Sequence, residues 1–168
     1  YVVSPTEDAV VVFARDASLS GLLAWVEVKK DGIGPIDGLD GASSVRVSPD
    51  GNHVYVTGTV DDAVAVFRRE TNSVSANFGK LTFLQHAPCG GKTPRHFKID
   101  PSGKWLVCAH QNSDTISVLS LDPATGLLGE PKSTVTAPKP NCILFPWLGL
   151  AVPVRRGDIL APHNTVAP

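Results

Sequence analysis

Two stretches of the chain spell nearly the same phrase. Residues 47–58 read VSPDGNHVYVTG and residues 99–110 read IDPSGKWLVCAH. With no gap between the copies, Gly51 falls on Gly103, Asp62 on Asp114 and Val64 on Ile116, a period of 52 residues. A partial earlier copy opens the chain: Tyr1-Val2 and Asp8-Ala9-Val10-Val11-Val12-Phe13 match Tyr55-Val56 and Asp62-Ala63-Val64-Ala65-Val66-Phe67. A fourth trace, Pro140 to Phe145, stands where Pro94 to Ile99 stands one repeat earlier. Self-similarity of this size marks units that cannot bury their apolar faces alone and must stack.

Each unit resolves into short strands and turns. Ser48-Pro49-Asp50-Gly51 and Asp100-Pro101-Ser102-Gly103 suit type I turns: a capping side chain first, Pro presetting φ second, Gly relaxing the fourth place. Beside them, Val45/Val47, Phe97/Ile99 and Val64/Val66 show the period-2 spacing of strands. Further hairpin turns are predicted at Thr59 to Asp62 and Gln111 to Asp114. A last strand is predicted after Gly21, Gly79 and Gly126, with Leu22, Leu81 and Leu127 in equivalent places. No stretch has helical periodicity, so the fold class is all-β.

About four strands in a unit of about 40–50 residues is the signature of a β-propeller blade. Residues 1–146 therefore read as about three four-stranded antiparallel blades, part of a larger propeller. Closure takes about 4–8 blades, and an arc of three would expose two large apolar faces. Further blades or a second chain are expected to complete the ring. From Trp147 to Pro168 the repeat stops, and a non-repeat tail without a motif is expected over 147–168.

Composition narrows the function. A net charge of −1, from 15 basic and 16 acidic residues, has no footprint for nucleic acid. The longest apolar run, Cys142 to Val154, is broken by Pro146 and Pro153 and falls short of the roughly 20 residues a spanning helix needs. No membrane partner is expected. Three scattered cysteines, Cys89, Cys108 and Cys142, make no disulfide framework and point to a reducing, cytoplasmic setting. The chain lacks Met and opens on Tyr-Val-Val as if in mid-strand, so a fragment or processed piece without a signal peptide is expected.

The two copies differ in what leads into them: Thr93-Pro94-Arg95-His96 before the second, Ala42-Ser43-Ser44 before the first. The stretch from Thr93 to Leu106, with Gln111-Asn112-Ser113-Asp114 and Asp122-Pro123-Ala124-Thr125-Gly126-Leu127-Leu128, resembles the lactonase family of seven-bladed propellers. That family includes the bacterial 6-phosphogluconolactonases and the fungal carboxymuconate-lactonizing enzymes. The likeness is strongest over 92–145, which resembles the last blade and the closing strand, and is less specific over 1–85. It implies a site for opening or forming lactones in a cleft at the propeller axis, built from Arg, His and Glu of several blades, with a small sugar lactone as partner. The Arg of the family's last-blade Pro-Arg motif maps onto Arg95. The Gly-Pro-Arg-His motif of an earlier blade, with its Asn-Glu pair, has no match in these 168 residues. Because propellers serve many roles, a non-catalytic binding module is the alternative.

Arg95 is the first candidate catalytic residue. A guanidinium near the axis could grip phosphate or carboxylate, or stabilise the oxyanion of an attacked lactone carbonyl; otherwise it would form a salt bridge between blades. His96, pointing to the other face by alternation, could act as general base for water or pack between blades. His86, Cys89, Cys108 and His110 have the make-up of a zinc set. Yet Cys108 falls on Val56, an ordinary core position, so a buried thiol is expected. Asp31, Asp37 and Asp40 lie among glycines without the spacing of a calcium loop, and an inter-blade loop is expected. No metal and no cofactor is expected. Ser43-Ser44 sits on a strand, away from any nucleophile elbow.

Overall fold

The computed structural model describes residues 1–16 and 21–145, so the expected tail over 147–168 lies outside the described residues. Runs of β-branched residues broken by turns form strands, and short turns let each strand pair with the next. The strands are β1 (Val2–Ser4), β2 (Ala9–Arg15), β3 (Leu23–Lys30), β4 (Ala42–Val47), β5 (His53–Gly58), β6 (Ala63–Arg69), β7 (Leu81–Pro88), β8 (Pro94–Ile99), β9 (Trp105–His110), β10 (Thr115–Leu121) and β11 (Leu128–Thr136). They make three antiparallel meanders in chain order: β1-β2-β3, β4-β5-β6-β7 and β8-β9-β10-β11. The fold is all-β and the sheets are propeller blades. The first blade has three strands rather than four, because among the described residues no strand pairs with the inner edge of β1.

The turns follow the local chemistry. Gly51 N–H donates to Ser48 O and Gly103 N–H to Asp100 O, both at 2.9 Å. The closing glycines have φ of 78° and 71°, a conformation a Cβ disfavours. The outer strands enter the ladder at Leu23, Leu81 and Leu128, opposite Arg15, Arg69 and Leu121. Two of the three thus lie one residue beyond the expected Leu22 and Leu127. In each blade a left-handed glycine (Gly21, Gly79 or Gly126) turns the chain, and the second residue after it begins the pairing.

Alternation along the middle blade builds two cores at once. Val54, Val56, Ala65 and Phe67 face the first blade and pack with Val10, Val12, Leu39 and Leu81. Tyr55, Val64 and Val66 face the third blade and meet Phe97, Leu106, Cys108 and Leu119. A sheet buried on both faces needs apolar residues at successive positions, which is why β5 and β6 are nearly continuous in Val, Ala and aromatic side chains. Tyr55 also reaches across the blade boundary, donating from its hydroxyl to Gly126 O at 2.9 Å.

Each of the three blades ends in the same clasp. Asp8, Asp62 and Asp114 end the turns after β1, β5 and β9 with φ of 50°, 54° and 52°. The carbonyl of each accepts the N–H of the residue ending its own blade: Asp31, Cys89 and Ala137. A carboxylate oxygen of each accepts the N–H that opens the next inner segment: Gly41 at 2.9 Å, Thr93 at 2.7 Å and Lys139 at 2.9 Å. Farther out, Glu27 accepts from Leu81 N–H at 2.5 Å, and Gln85 accepts from Leu128 N–H and donates to its carbonyl, both at 2.9 Å.

Replacing Asp62 by Ala orphans the Thr93 N–H and places a Cβ residue without local hydrogen bonding at positive φ. The expected loss is about 2 kcal/mol or more, read as a lower urea midpoint. Lys92→Ala removes an ion pair whose lysine is 71% exposed and should leave the midpoint near wild type. Equal midpoints for the two variants would contradict the clasp.

Candidate functional site

The inner strands β4 and β8 lie against each other, and Arg95 and His96 stand on β8. Both strands are irregular at the same place. Pro94 pairs with His110 and His96 with Ala109, leaving Arg95 unopposed; Ala42 pairs with Gly58 and Ser44 with Thr57, leaving Ser43 unopposed. A bulge of this kind re-aims the extra side chain. Ser43 uses the position to tie the blades together, its hydroxyl donating to Pro94 O at 2.9 Å.

Arg95 uses it differently. Its side chain is exposed, and its Nε–H donates to Gln111 Oε1 at 2.6 Å, in the turn between β9 and β10. That turn is held in place by Gln111 N–H bonding to Thr93 O and by Asn112 Nδ2 donating to Thr93 Oγ1. Among the described residues, no carboxylate forms a salt bridge with Arg95, and the Gln111 contact is its single side-chain hydrogen bond. One edge of the guanidinium is fixed while its terminal nitrogens remain open to an anion.

His96 goes elsewhere. Its Nε2 lies 2.7 Å from Arg46 Nη2, and its Nδ1 accepts from Ile143 N–H at 3.0 Å. Both neighbours are donors, and a neutral imidazole has one acceptor nitrogen. The two contacts therefore compete for one lone pair, and a protonated ring would satisfy neither. Burial first, then the positive charges of Arg46 and Lys98, hold its pKa below the ordinary imidazole value. A base for water needs an open lone pair; here both ring nitrogens are faced by protein donors. Arg46 escaped the sequence reading because nothing near it in the chain marks it. The available hint was its place in the repeat, opposite Lys98.

The other candidate groups are sorted by the structure. Asp31, Asp37 and Asp61 bring carboxylate oxygens within 4.8 Å of one another, so Asp61 rather than Asp40 completes that cluster. Each has a protein partner. Asp31 accepts from Leu39 N–H, Asp61 from Asp40 N–H, and Asp37 meets His86 Nδ1 at 2.7 Å. These bonds order the loop joining the first two blades, and burial raises the Asp61 pKa. His86, held by Asp37, is thus separated from Cys89, Cys108 and His110, which do meet. A hydrogen bond with Cys108, joined by His110 and opposed by burial, holds Cys89 below the usual thiol range. Among the described residues, no helix is long and apolar enough to cross a membrane.

Comparison with known proteins agrees with this architecture. The family model described as lactonase, 7-bladed beta-propeller, matches residues 1–145. The 6-phosphogluconolactonase of Bacillus subtilis is 35% identical over 103 residues, 61% of this chain and 28% of that protein. The 6-phosphogluconolactonase of Formosa agariphila is 35% identical over 89 residues, 52% of this chain and 24% of that protein. The solved structure of a periplasmic gluconolactonase from Pseudomonas aeruginosa superposes with a TM-score of 0.70 at 28% identity, covering 81% of this chain and 36% of that one. The chain thus spans between 24% and 36% of the length of these three relatives.

The environment of His96 predicts a pH signature. With the folded pKa below about 6.5, the unfolded chain binds this proton more tightly, so the His96 contribution is complete above about pH 6.5. It declines as pH falls through the folded value. The thermal midpoint of wild type minus that of His96→Gln should therefore shrink between about pH 7.5 and about pH 5. A difference that stays constant across that range would contradict the donor-flanked ring.

Proposed function

Since the chain belongs to the lactonase family of seven-bladed β-propellers, matched over residues 1–145, we propose that it carries part of a sugar-lactone hydrolase site. The substrate class is an anionic sugar lactone of the 6-phosphogluconolactone kind, taken from the names of its relatives. In this reading two four-stranded blades and a three-stranded one contribute Arg95 to a cleft that other blades complete. The observation that carries it is an exposed guanidinium on an inner-strand bulge, fixed at Nε by Gln111 and without a carboxylate partner among the described residues.

Hydrolysis adds the oxygen of water to the lactone carbonyl carbon and breaks the bond from that carbon to the ring oxygen. The ring oxygen leaves as a hydroxyl, taking a proton, and the new acid ionises. Negative charge gathers on the carbonyl oxygen on the way, and a guanidinium already held in place stabilises it without reorganising. Two terminal nitrogens can equally hold a substrate phosphate or carboxylate in a fork. His96 serves as a positioning residue, spacing β8 from Arg46 of β4 and from the Ile143 backbone. The general base comes from another blade. Free thiols at Cys89, Cys108 and Cys142 suit the cytoplasmic setting expected from the sequence.

The test is the rate of 6-phosphogluconolactone hydrolysis over buffer. Arg95→Ala should lower it by about 10²–10³-fold, the usual loss of one oxyanion donor. Gln111→Ala, acting only through Arg95, should cost less. Equal rates for wild type and Arg95→Ala would remove Arg95 from the site. No acceleration by wild type would favour a binding module, or a site that is incomplete without its other blades.

A further inference from the structure

The junction of the second and third blades holds a group of side chains that the lactone reading does not use. Cys89 follows β7, while Cys108 and His110 lie on β9; all three are 0% exposed. Their ligand atoms lie within 4.8 Å of one another, and Cys89 Sγ is 3.7 Å from His110 Nδ1. Neighbouring groups fix the imidazole tautomer. Ser117 has one hydroxyl proton and donates it to Cys89 O at 2.6 Å, so at 2.8 Å it accepts from His110 Nε2–H. Nδ1 is then left unprotonated, its lone pair toward the sulfur. Metal-binding imidazoles are commonly oriented in this way, with the far nitrogen donating to a fixed oxygen.

The fold does not require these residues. The preceding junction places Asp31, Val56 and Gly58 at the same registers and closes around them. Valine in place of Cys108 would suffice for packing, and a glycine in place of His110 is what the other blade uses. His110 fits only because Gly91 has no side chain; a Cβ there would collide with the ring.

We propose that Cys89, Cys108 and His110 form a zinc-type metal site. Tetrahedral zinc, with bonds of about 2.3 Å to sulfur and about 2.0–2.1 Å to nitrogen, sets S···N separations of about 3.6 Å. The 3.7 Å between Cys89 Sγ and His110 Nδ1 matches. Without metal, the Cys89 thiol donates to Asp62 O at 2.8 Å, a proton that the metal would displace. Two thiolates neutralise a divalent cation, which allows the buried site to carry no net charge. Binding releases the two thiol protons to solvent and needs no redox partner.

The experiment strips the chain with a chelator under reductant and titrates it with Zn²⁺ against a competing indicator, then with Co²⁺ followed by absorbance. One equivalent should bind, and Co²⁺ should give a thiolate charge-transfer band with the visible bands of a tetrahedral site. Cys108→Val, which copies Val56, should keep its circular dichroism spectrum and lose more than about 100-fold in Zn²⁺ affinity. Cys142→Ser should bind as wild type does. Absence of stoichiometric binding by wild type overturns the proposal, as does unchanged affinity in Cys108→Val.

Discussion

The aspartate that ends the turn after β1, β5 and β9 holds the arc together. Its left-handed backbone lets the carbonyl and the carboxylate of one residue reach two strangers, the end of its own blade and the start of the next. A turn inside one sheet thereby sets where the neighbouring sheet begins. The receiving residues, Gly41, Thr93 and Lys139, are also left-handed, with φ of 67°, 57° and 42°. Both ends of the connection are therefore bent to one prescribed geometry. Asp is among the non-glycine residues best suited to that conformation because its side chain can bond locally. Three such clasps, with Glu27 and Gln85 linking the outer strands, leave little freedom in how the sheets stack.

The candidate site inherits its geometry from this arrangement. Thr93 is the residue clasped by Asp62, and Arg95 follows two positions later on the bulge. Thr93 also holds the turn that carries Gln111, which in turn holds Arg95. The guanidinium is thus positioned through a chain of hydrogen bonds that begins at the blade boundary. Next to it, His96 is caught between Arg46 of the preceding blade and the backbone of Ile143 beyond the third. Two adjacent residues that look like one catalytic phrase therefore have separate tasks, one facing solvent and one joining three inner segments.

Much of this could be read before any coordinates. The 52-residue repeat, the Pro-Asp-Gly and Pro-Ser-Gly turns and the period-2 runs depend on local backbone preference, and each appears where expected. The register of the outer strands was less legible. A left-handed glycine reverses the chain, and pairing then begins at whichever residue faces the partner, so Leu23 and Leu128 take the places of Leu22 and Leu127. The bulges at Ser43 and Arg95 left no mark in composition, because a bulge is a mismatch between two strands and neither strand alone contains it.

The sequence by itself determined the unit: an all-β blade, its turns, its two apolar faces and the odd Arg-His pair in one copy. Those are consequences of alternation, of Pro and Gly dihedral limits, and of chemistry within a few residues. Only the tertiary structure decided which side chains share a boundary. Arg46 reaches His96 across 50 residues, and Cys89 reaches His110 across 21. It also gave the repeated aspartate its meaning as a clasp. Such pairings depend on how one sheet lies over the next, and that is settled by burial of both faces and by hydrogen bonds between blades.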